Sequence, residues 1–205
     1  MNKCHKTAEG QEGSNESYVD YLLSFYWNEK IQLDKNIARE IAKKAFGKKM
    51  LVFGLGYDSL FWYHATKGQT YFIEDDEDFI FFNKDLLKNI IPYNYYGTSV
   101  SKSLDFLKNP SGSYYSLTPP IELIKLATYD VIFVDGPKGF CSDLPGRLHP
   151  IKWSSNLINN SGSIYIDDAD RELEEKAINK YLPEARFLKT NRGNTVAIYD
   201  NEQIP

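Results

Sequence analysis

The chain has 205 residues, a formal net charge of -4 and 25% charged residues, so it is long enough for one α/β domain and too short for two ordinary ones. Charges of both signs are interspersed without a basic block, which excludes a nucleic-acid footprint and favours a small neutral or anionic ligand. Two cysteines, Cys4 and Cys141, make no disulfide framework; with no apolar run near the roughly 18 residues of a membrane span and no signal peptide, a reducing, cytoplasmic setting without a membrane partner is expected.

Residues 1–13, rich in Lys, Glu, Gln and Gly, read as a disordered leader, and 14–205 as a single domain of unspecified oligomeric state. Ser14 or Asn15 caps a helix in which Tyr18, Tyr21, Leu22, Phe25 and Tyr26 recur at three-and-four spacing. A second helix, from about Leu33 to Ala45, presents Ile37, Ile41 and Ala45 in the same way. The two form an expected helical cap over about 14–46, packing on a sheet or leaning over a ligand.

Leu51-Val52-Phe53-Gly54-Leu55-Gly56 then reads as a buried strand that breaks into a Gly-x-Gly turn, with Asp58-Ser59 starting a helix through Leu60, Phe61, Trp62 and Tyr63. Strand, glycine turn and helix make the entry to a nucleotide-binding unit. Glycines let a ligand approach the backbone, and amides at a helix start favour anionic or hydroxyl oxygens. Thr70 to Glu74 is the next strand, followed by Asp75-Asp76. Glu74 stands twenty residues past Gly54, the separation at which doubly wound nucleotide folds place the acid that grips ribose hydroxyls. An acid there also suits the start of the following helix, which runs through Phe79, Ile80, Phe82, Leu86 and Leu87.

Tyr93 to Val100 is expected as a third strand, the Pro/Ser/Gly-rich stretches at 109–113 and 118–120 as surface loop, and Ile121 to Leu126 as a short helix. Tyr129 to Val134 is a further buried strand, stopping at Asp135-Gly136-Pro137-Lys138-Gly139. Pro150 to Ile158 is helical, Ser163 to Ile166 is a strand ending in Asp167-Asp168, and Asp170-Arg171-Glu172 opens a helix through Leu173, Ala177 and Tyr181. Ala185 to Thr190 and Thr195 to Tyr199, joined by Asn191-Arg192-Gly193-Asn194, suit a hairpin.

Open α/β sheets bind ligands at the carboxyl ends of their strands, so Glu74, Asp135, Asp167 and Asp168 are expected to face one crevice. Clustered acids repel one another unless a cation or ligand hydroxyls satisfy them. A divalent ion, Mg or Mn with Co a further candidate, is therefore expected at Asp135, Asp167 and Asp168. The alternative is that Asp167 and Asp168 cap the next helix while Asp135 holds the Gly136-Pro137 turn. An ion there would lower the pKa of a hydroxyl nucleophile, and Lys138 or His149 would take its proton.

A parallel sheet closed by a hairpin is similar to the class I methyltransferase arrangement. That is a Rossmann-like α/β fold with a seven-stranded, mostly parallel sheet, an antiparallel C-terminal hairpin strand and helices on both faces. The acids, with Lys138 three residues past Asp135, resemble the magnesium ligands and lysine base of catechol-type O-methyltransferases. Longer phrases carry a closer likeness: Val52 to Trp62, Phe72 to Asp76, Tyr129 to Gly139, Pro145-Gly146-Arg147 and Asp170-Arg171-Glu172 resemble the polysaccharide-biosynthesis methyltransferase family. Its plant members are the glucuronoxylan 4-O-methyltransferases.

The resemblance implies cation-assisted methyl transfer from S-adenosylmethionine to a sugar hydroxyl of a glycan or glycoconjugate. It places Gly54, Gly56, Asp58 and Ser59 on the cofactor loop, Glu74 on the ribose acid with Asp75 beside it, and Asp135 next to the reacting methyl. Arg147 falls on the acceptor loop, where it either pairs with an acidic sugar or clamps the domain's own loop. Lys138 can bind an anionic substrate instead of serving as base. Tyr57 departs from the histidine usual in the plant motif, and no anchor like that of the plant members is read here. The alternatives are a catechol-type enzyme for small molecules, a nucleotide-binding oxidoreductase, which would want glycine where Ser59 stands, and a non-catalytic glycan-binding module.

Overall fold

The computed structural model describes residues 12–110 and 117–201. Seven strands, β1 (Met50–Phe53), β2 (Thr70–Glu74), β3 (Ile90–Pro92), β4 (Tyr129–Val134), β5 (Ile158–Ile166), β6 (Arg186–Lys189) and β7 (Thr195–Asp200), form one sheet in the order β3-β2-β1-β4-β5-β7-β6. Strands β1 to β5 run parallel, and β7 is antiparallel to both its neighbours. The chain reverses its direction of travel across the sheet between β1 and β4, which opens a crevice at their carboxyl ends.

Side chains alternate across the strands and divide the core in two. Met50, Val52, Val131 and Phe133 face the layer that holds α1 (Glu12–Tyr26), α2 (Lys35–Ala45) and α3 (Ser59–Ala65). Leu51, Phe53, Ile132 and Val134 face α7 (Leu148–Leu157) and α8 (Glu172–Tyr181). Both faces are covered, which is why these strands read as unbroken apolar runs. Helices α4 (Glu77–Asn83), α5 (Val100–Lys108) and α6 (Ile121–Lys125) lie in the connections before and after β3.

Asp34 starts α2 by accepting the amide of Asn36 at 2.8 Å, and the helix buries Ile37, Ala38, Ile41, Ala42 and Ala45. In α1 the buried side is Val19, Leu22 and Leu23, while Tyr18, Tyr21 and Phe25 are exposed, so most of the aromatic stripe faces outward. Of the expected leader, residues 1–11 and with them Cys4 lie outside the described residues, and α1 already begins at Glu12. No helix among the described residues is long and apolar enough to cross a membrane.

The third strand differs from expectation. Ile90 to Pro92 pairs with Phe72 to Glu74, whereas Tyr93 to Ser99 is irregular and Val100 already belongs to α5. Gly97 takes φ 76° there, and the Ser99 hydroxyl accepts the Lys102 amide at 3.2 Å as a helix cap. Tyr95 turns inward beside Tyr93 and Trp153 rather than pairing in the sheet.

Trp62 and Trp153 are fully buried on opposite faces of the sheet. Trp62 Nε1 donates to Asp58 at 2.8 Å, whereas Trp153 Nε1 has no partner among the described residues. Trp62→Phe is therefore expected to cost about 1–3 kcal/mol more than Trp153→Phe, since only it strips a bond from a buried carboxyl. Urea denaturation of the two variants checks the difference.

Candidate functional site

A cleft of about 540 Å³ opens at the carboxyl ends of β1, β2 and β4. The turn Gly54 to Asp58 after β1, Glu74 to Asp76 after β2, and Asp135 to Lys138 after β4 supply its floor and walls. Lys30 to Leu33, between α1 and α2, lines it from the N-terminal side, and Arg147, Asp168 and Arg171 close the opposite end.

The floor is set by two glycines in contact. Gly54 adopts φ 108°, and a Cβ built on it would lie 3.2 Å from the Gly136 amide nitrogen. A Cβ on Gly136 would lie 3.0 Å from the Gly54 Cα. Any side chain at either position forces the two turns apart. The Phe53 carbonyl accepts the amides of both Asp135 and Gly136, at 3.0 and 2.6 Å, and so locks the β4 turn against β1.

Two amides of the glycine turn are already used. Leu55 donates to the Glu74 carboxylate, and Gly56 donates to the Ser59 hydroxyl at 2.9 Å. Ser59 is buried and does not reach the cleft, so it closes the turn instead of meeting a ligand. Glu74 also accepts the amides of Asp75 and Asp76 at 2.8 and 2.7 Å. Burial raises its pKa and these amides oppose the rise. Glu74 is thus the brace between the two turns, and Asp75 carries a second carboxylate beside it on the cleft wall, its pKa raised by burial. Asp76 caps α4 by accepting the Asp78 amide at 3.1 Å, and Lys138 Nζ lies 3.3 Å from its other oxygen.

The three acids expected to cluster do so: carboxylate oxygens of Asp135, Asp167 and Asp168 lie within 4.8 Å of one another. Asp168 is held at φ 53°, a left-handed conformation that aspartate tolerates better than most residues. Arg147 stands among them. Its Nη2 lies 3.3 Å from Asp135 Oδ1 and 3.2 Å from Asp168 Oδ2 and also donates to the Asp135 carbonyl, while Nη1 donates to the Asp167 carbonyl at 2.5 Å. Arg171 Nη2 reaches Asp168 at 2.7 Å, and Asn194 donates to Asp167 at 2.5 Å. Burial drives the Asp167 carboxyl up to about 7, with the Asp135 charge adding to it and Arg147 opposing it. Asp135 is raised for the same reason and opposed by Arg147, although 42% of its side chain is open to the cleft.

The Arg147 side chain is 4% exposed and its two Nη groups donate to the domain's own strand ends, which fits the loop-clamping alternative over pairing with an acidic sugar, while Nε has no partner among the described residues. His149, proposed as a base, is buried against Tyr95 and Trp153 and does not line the cleft. Burial lowers its pKa to about 4, because a charged imidazole there would lose its water. Lys138 is exposed at the rim. Sequence reading did not single out Lys30 to Leu33, Phe79, Phe140 or Arg171 as cleft residues. Of these, only Arg171 carried a signal, as the cation within an acidic strand-end phrase. The N-terminal segment is tied down across the molecule, since Arg192 of the β6–β7 turn donates to the Ile31 carbonyl.

No family model matches the chain. It is 28% identical over 178 residues to glucuronoxylan 4-O-methyltransferase 1 of Arabidopsis thaliana, covering 75% of this chain and 62% of that protein. It is also 28% identical over 196 residues to arabinogalactan O-methyltransferase 2 of the same plant, covering 82% and 66%. The chain therefore spans less than two thirds of the length of these relatives. Among solved structures, a candidate caffeoyl-CoA O-methyltransferase from Staphylococcus aureus matches with a TM-score of 0.50 and 17% identity, over 90% of this chain and 99% of that one. The fold is the Rossmann-like class I methyltransferase fold, with one antiparallel strand in the C-terminal hairpin.

Asp58, buried between Trp62 and Asp135, has its carboxyl raised from 3.8 to about 7 by burial and then by the Asp135 charge. Between about pH 4 and 7 the folded protein thus holds a proton that the unfolded chain releases, and this group's contribution to stability falls as pH rises through that window. Asp58→Asn keeps the acceptor for Trp62 and removes the titration. The melting temperature of the variant relative to the parent should climb by roughly 5 °C or more between pH 5 and 7.5, measured by thermal melts.

Proposed function

We propose that this protein transfers a methyl group from S-adenosylmethionine to a sugar hydroxyl of a glycan or glycoconjugate. The observation that carries the reading is the charge of the cleft. Besides Asp58, whose carboxyl is pushed up to about 7, five carboxylates (Glu74, Asp75, Asp76, Asp135, Asp168) face four cations (Lys30, Lys138, Arg147, Arg171). S-adenosylmethionine brings a sulfonium and an ammonium against one carboxylate, which complements that excess. A dinucleotide brings a diphosphate, which the acids repel and for which the Leu55 and Gly56 amides are not free. The likeness to polysaccharide methyltransferases of Arabidopsis thaliana supports a sugar acceptor.

In this reading the adenosyl group lies along β1 and β2. Gly54 and Gly56 admit it to the backbone, Asp75 and the brace Glu74 take the ribose hydroxyls, and Phe79 covers the base. The sulfonium methyl then faces the Asp135 end. The acceptor oxygen attacks the methyl carbon in line with the breaking carbon–sulfur bond, giving an ether and S-adenosylhomocysteine. Asp135, fixed by Arg147 and open to the cleft, receives the hydroxyl proton, and Lys138 at the rim orients the incoming sugar.

A divalent ion beside Asp135 meets an obstacle in the residues present. The oxygens converge, but the Arg147 guanidinium occupies the space between Asp135 and Asp168. No step of the transfer is routed through a metal.

Isothermal titration should show S-adenosylhomocysteine bound with one-to-one stoichiometry, and labelled cofactor should transfer methyl to members of a glycan panel. Asp135→Asn should lower turnover at least a hundredfold, about 2.7 kcal/mol of barrier, while cofactor affinity stays within a few-fold. Binding of a nicotinamide dinucleotide in place of S-adenosylhomocysteine, or turnover of simple phenols but of no sugar, overturns the reading.

A further inference from the structure

The geometry points to Arg147 as the built-in cation of the strand-end acid cluster, standing where a divalent ion would otherwise be bound, so that the cleft works without a divalent metal. Three carboxylates within 4.8 Å need positive charge nearby. Here each acid already has it or an equivalent donor. Asp135 faces Arg147, Asp168 faces Arg147 and Arg171, and Asp167 accepts the Asn194 amide. A guanidinium presents its donors in a rigid fork, and this fork also takes the carbonyls that end β4 and β5. It therefore supplies both the charge and the cross-strand tie that a metal would supply.

An ion bridging the two oxygens that face Nη2, Asp135 Oδ1 and Asp168 Oδ2, would stand beside the guanidinium, where two cations repel strongly. The backbone behind Arg147 leaves little freedom to withdraw. The Arg147 amide donates to the buried Glu174 at 3.2 Å, and the Gly146 amide donates to the Lys138 carbonyl at 3.0 Å. Gly146 takes φ 70°, and a Cβ on it would fall 2.5 Å from Leu173 Cδ2. In the proposed transfer Arg147 acts as a positioning residue that holds Asp135 in place and offsets its charge.

The catalytic consequence rests on the proposed methyl transfer, whereas the metal-binding consequence does not, and the experiment separates them. Manganese(II) binding is followed by electron paramagnetic resonance on the full chain without cofactor, alongside thermal melts in MnCl2, MgCl2 or EDTA. The parent protein should leave the free manganese signal and its melting temperature unchanged, and its methyl transfer should survive EDTA. Arg147→Met, which vacates the cluster, should bind manganese at least tenfold more tightly than the parent and be stabilised by it. Arg147→Lys keeps a cation in the cluster and should bind none. Stoichiometric manganese binding by the parent that Asp168→Asn abolishes overturns the inference, and so does an Arg147→Met variant that folds and gains no affinity. If Arg147→Met does not fold, the parent and Arg147→Lys measurements decide. Absence of methyl transfer to every acceptor would sink the proposed function and leave the manganese result to judge Arg147.

Discussion

Carboxylates that end neighbouring strands of a parallel sheet are forced toward one another by the geometry of the sheet, and their repulsion has to be met before a ligand can use them. In this protein it is met by Arg147, whose guanidinium joins the carbonyl ends of β4 and β5 and faces the side chains of Asp135 and Asp168. A buried ion pair gains little net stability, because both partners lose water. Its effect here is conformational. The arrangement fixes where Asp135 stands relative to the cleft, and the residues that hold it, Gly146 and Glu174, come from a loop and from α8 and have no place on the cleft surface.

The opposite half of the cleft is organised by backbone. Contact between Gly54 and Gly136 brings the turns after β1 and β4 together, and Glu74 braces the turn after β2 by accepting three amides. Once Leu55, Gly56, Asp75 and Asp76 have donated inward, the turn offers a ligand little of the amide-rich surface that anionic phosphates favour. The glycine spacing by itself suggests nucleotide binding, but the surface it yields here has few amides left for a phosphate.

The N-terminal helices bring a third contribution. Their apolar sides join the core under β1 and β4, and the segment between them, Lys30 to Leu33, reaches the cleft and is pinned by Arg192 from the C-terminal hairpin. Lys30 lies 5.0 Å from the Tyr57 ring across the mouth. The segment between α1 and α2 and the C-terminal hairpin thus meet beside the site. That gives the terminal hairpin a role in shaping the cleft besides completing the sheet.

By itself the sequence determined β1, β2, β4, the C-terminal hairpin and the glycine turn. β2 and β4 fall where their apolar runs place them, because burial on both faces leaves an unbroken local pattern, and Asn191 to Asn194 marks the hairpin through its turn residues. The convergence of Asp135, Asp167 and Asp168 was legible too, since strand ends share one edge of a parallel sheet, although Asp167 is buried and does not line the crevice it was expected to face. Tyr93 to Val100 was misread because its aromatic residues look like a strand, whereas Tyr95 serves the core and Ser99 caps a helix. Only the tertiary structure decided what neutralises the acids, which candidate base is buried and which distant segment walls the cleft. Those outcomes depend on how loops bring together residues far apart in the chain, and neither hydrophobic periodicity nor motif spacing records where a long cationic side chain will find its partners.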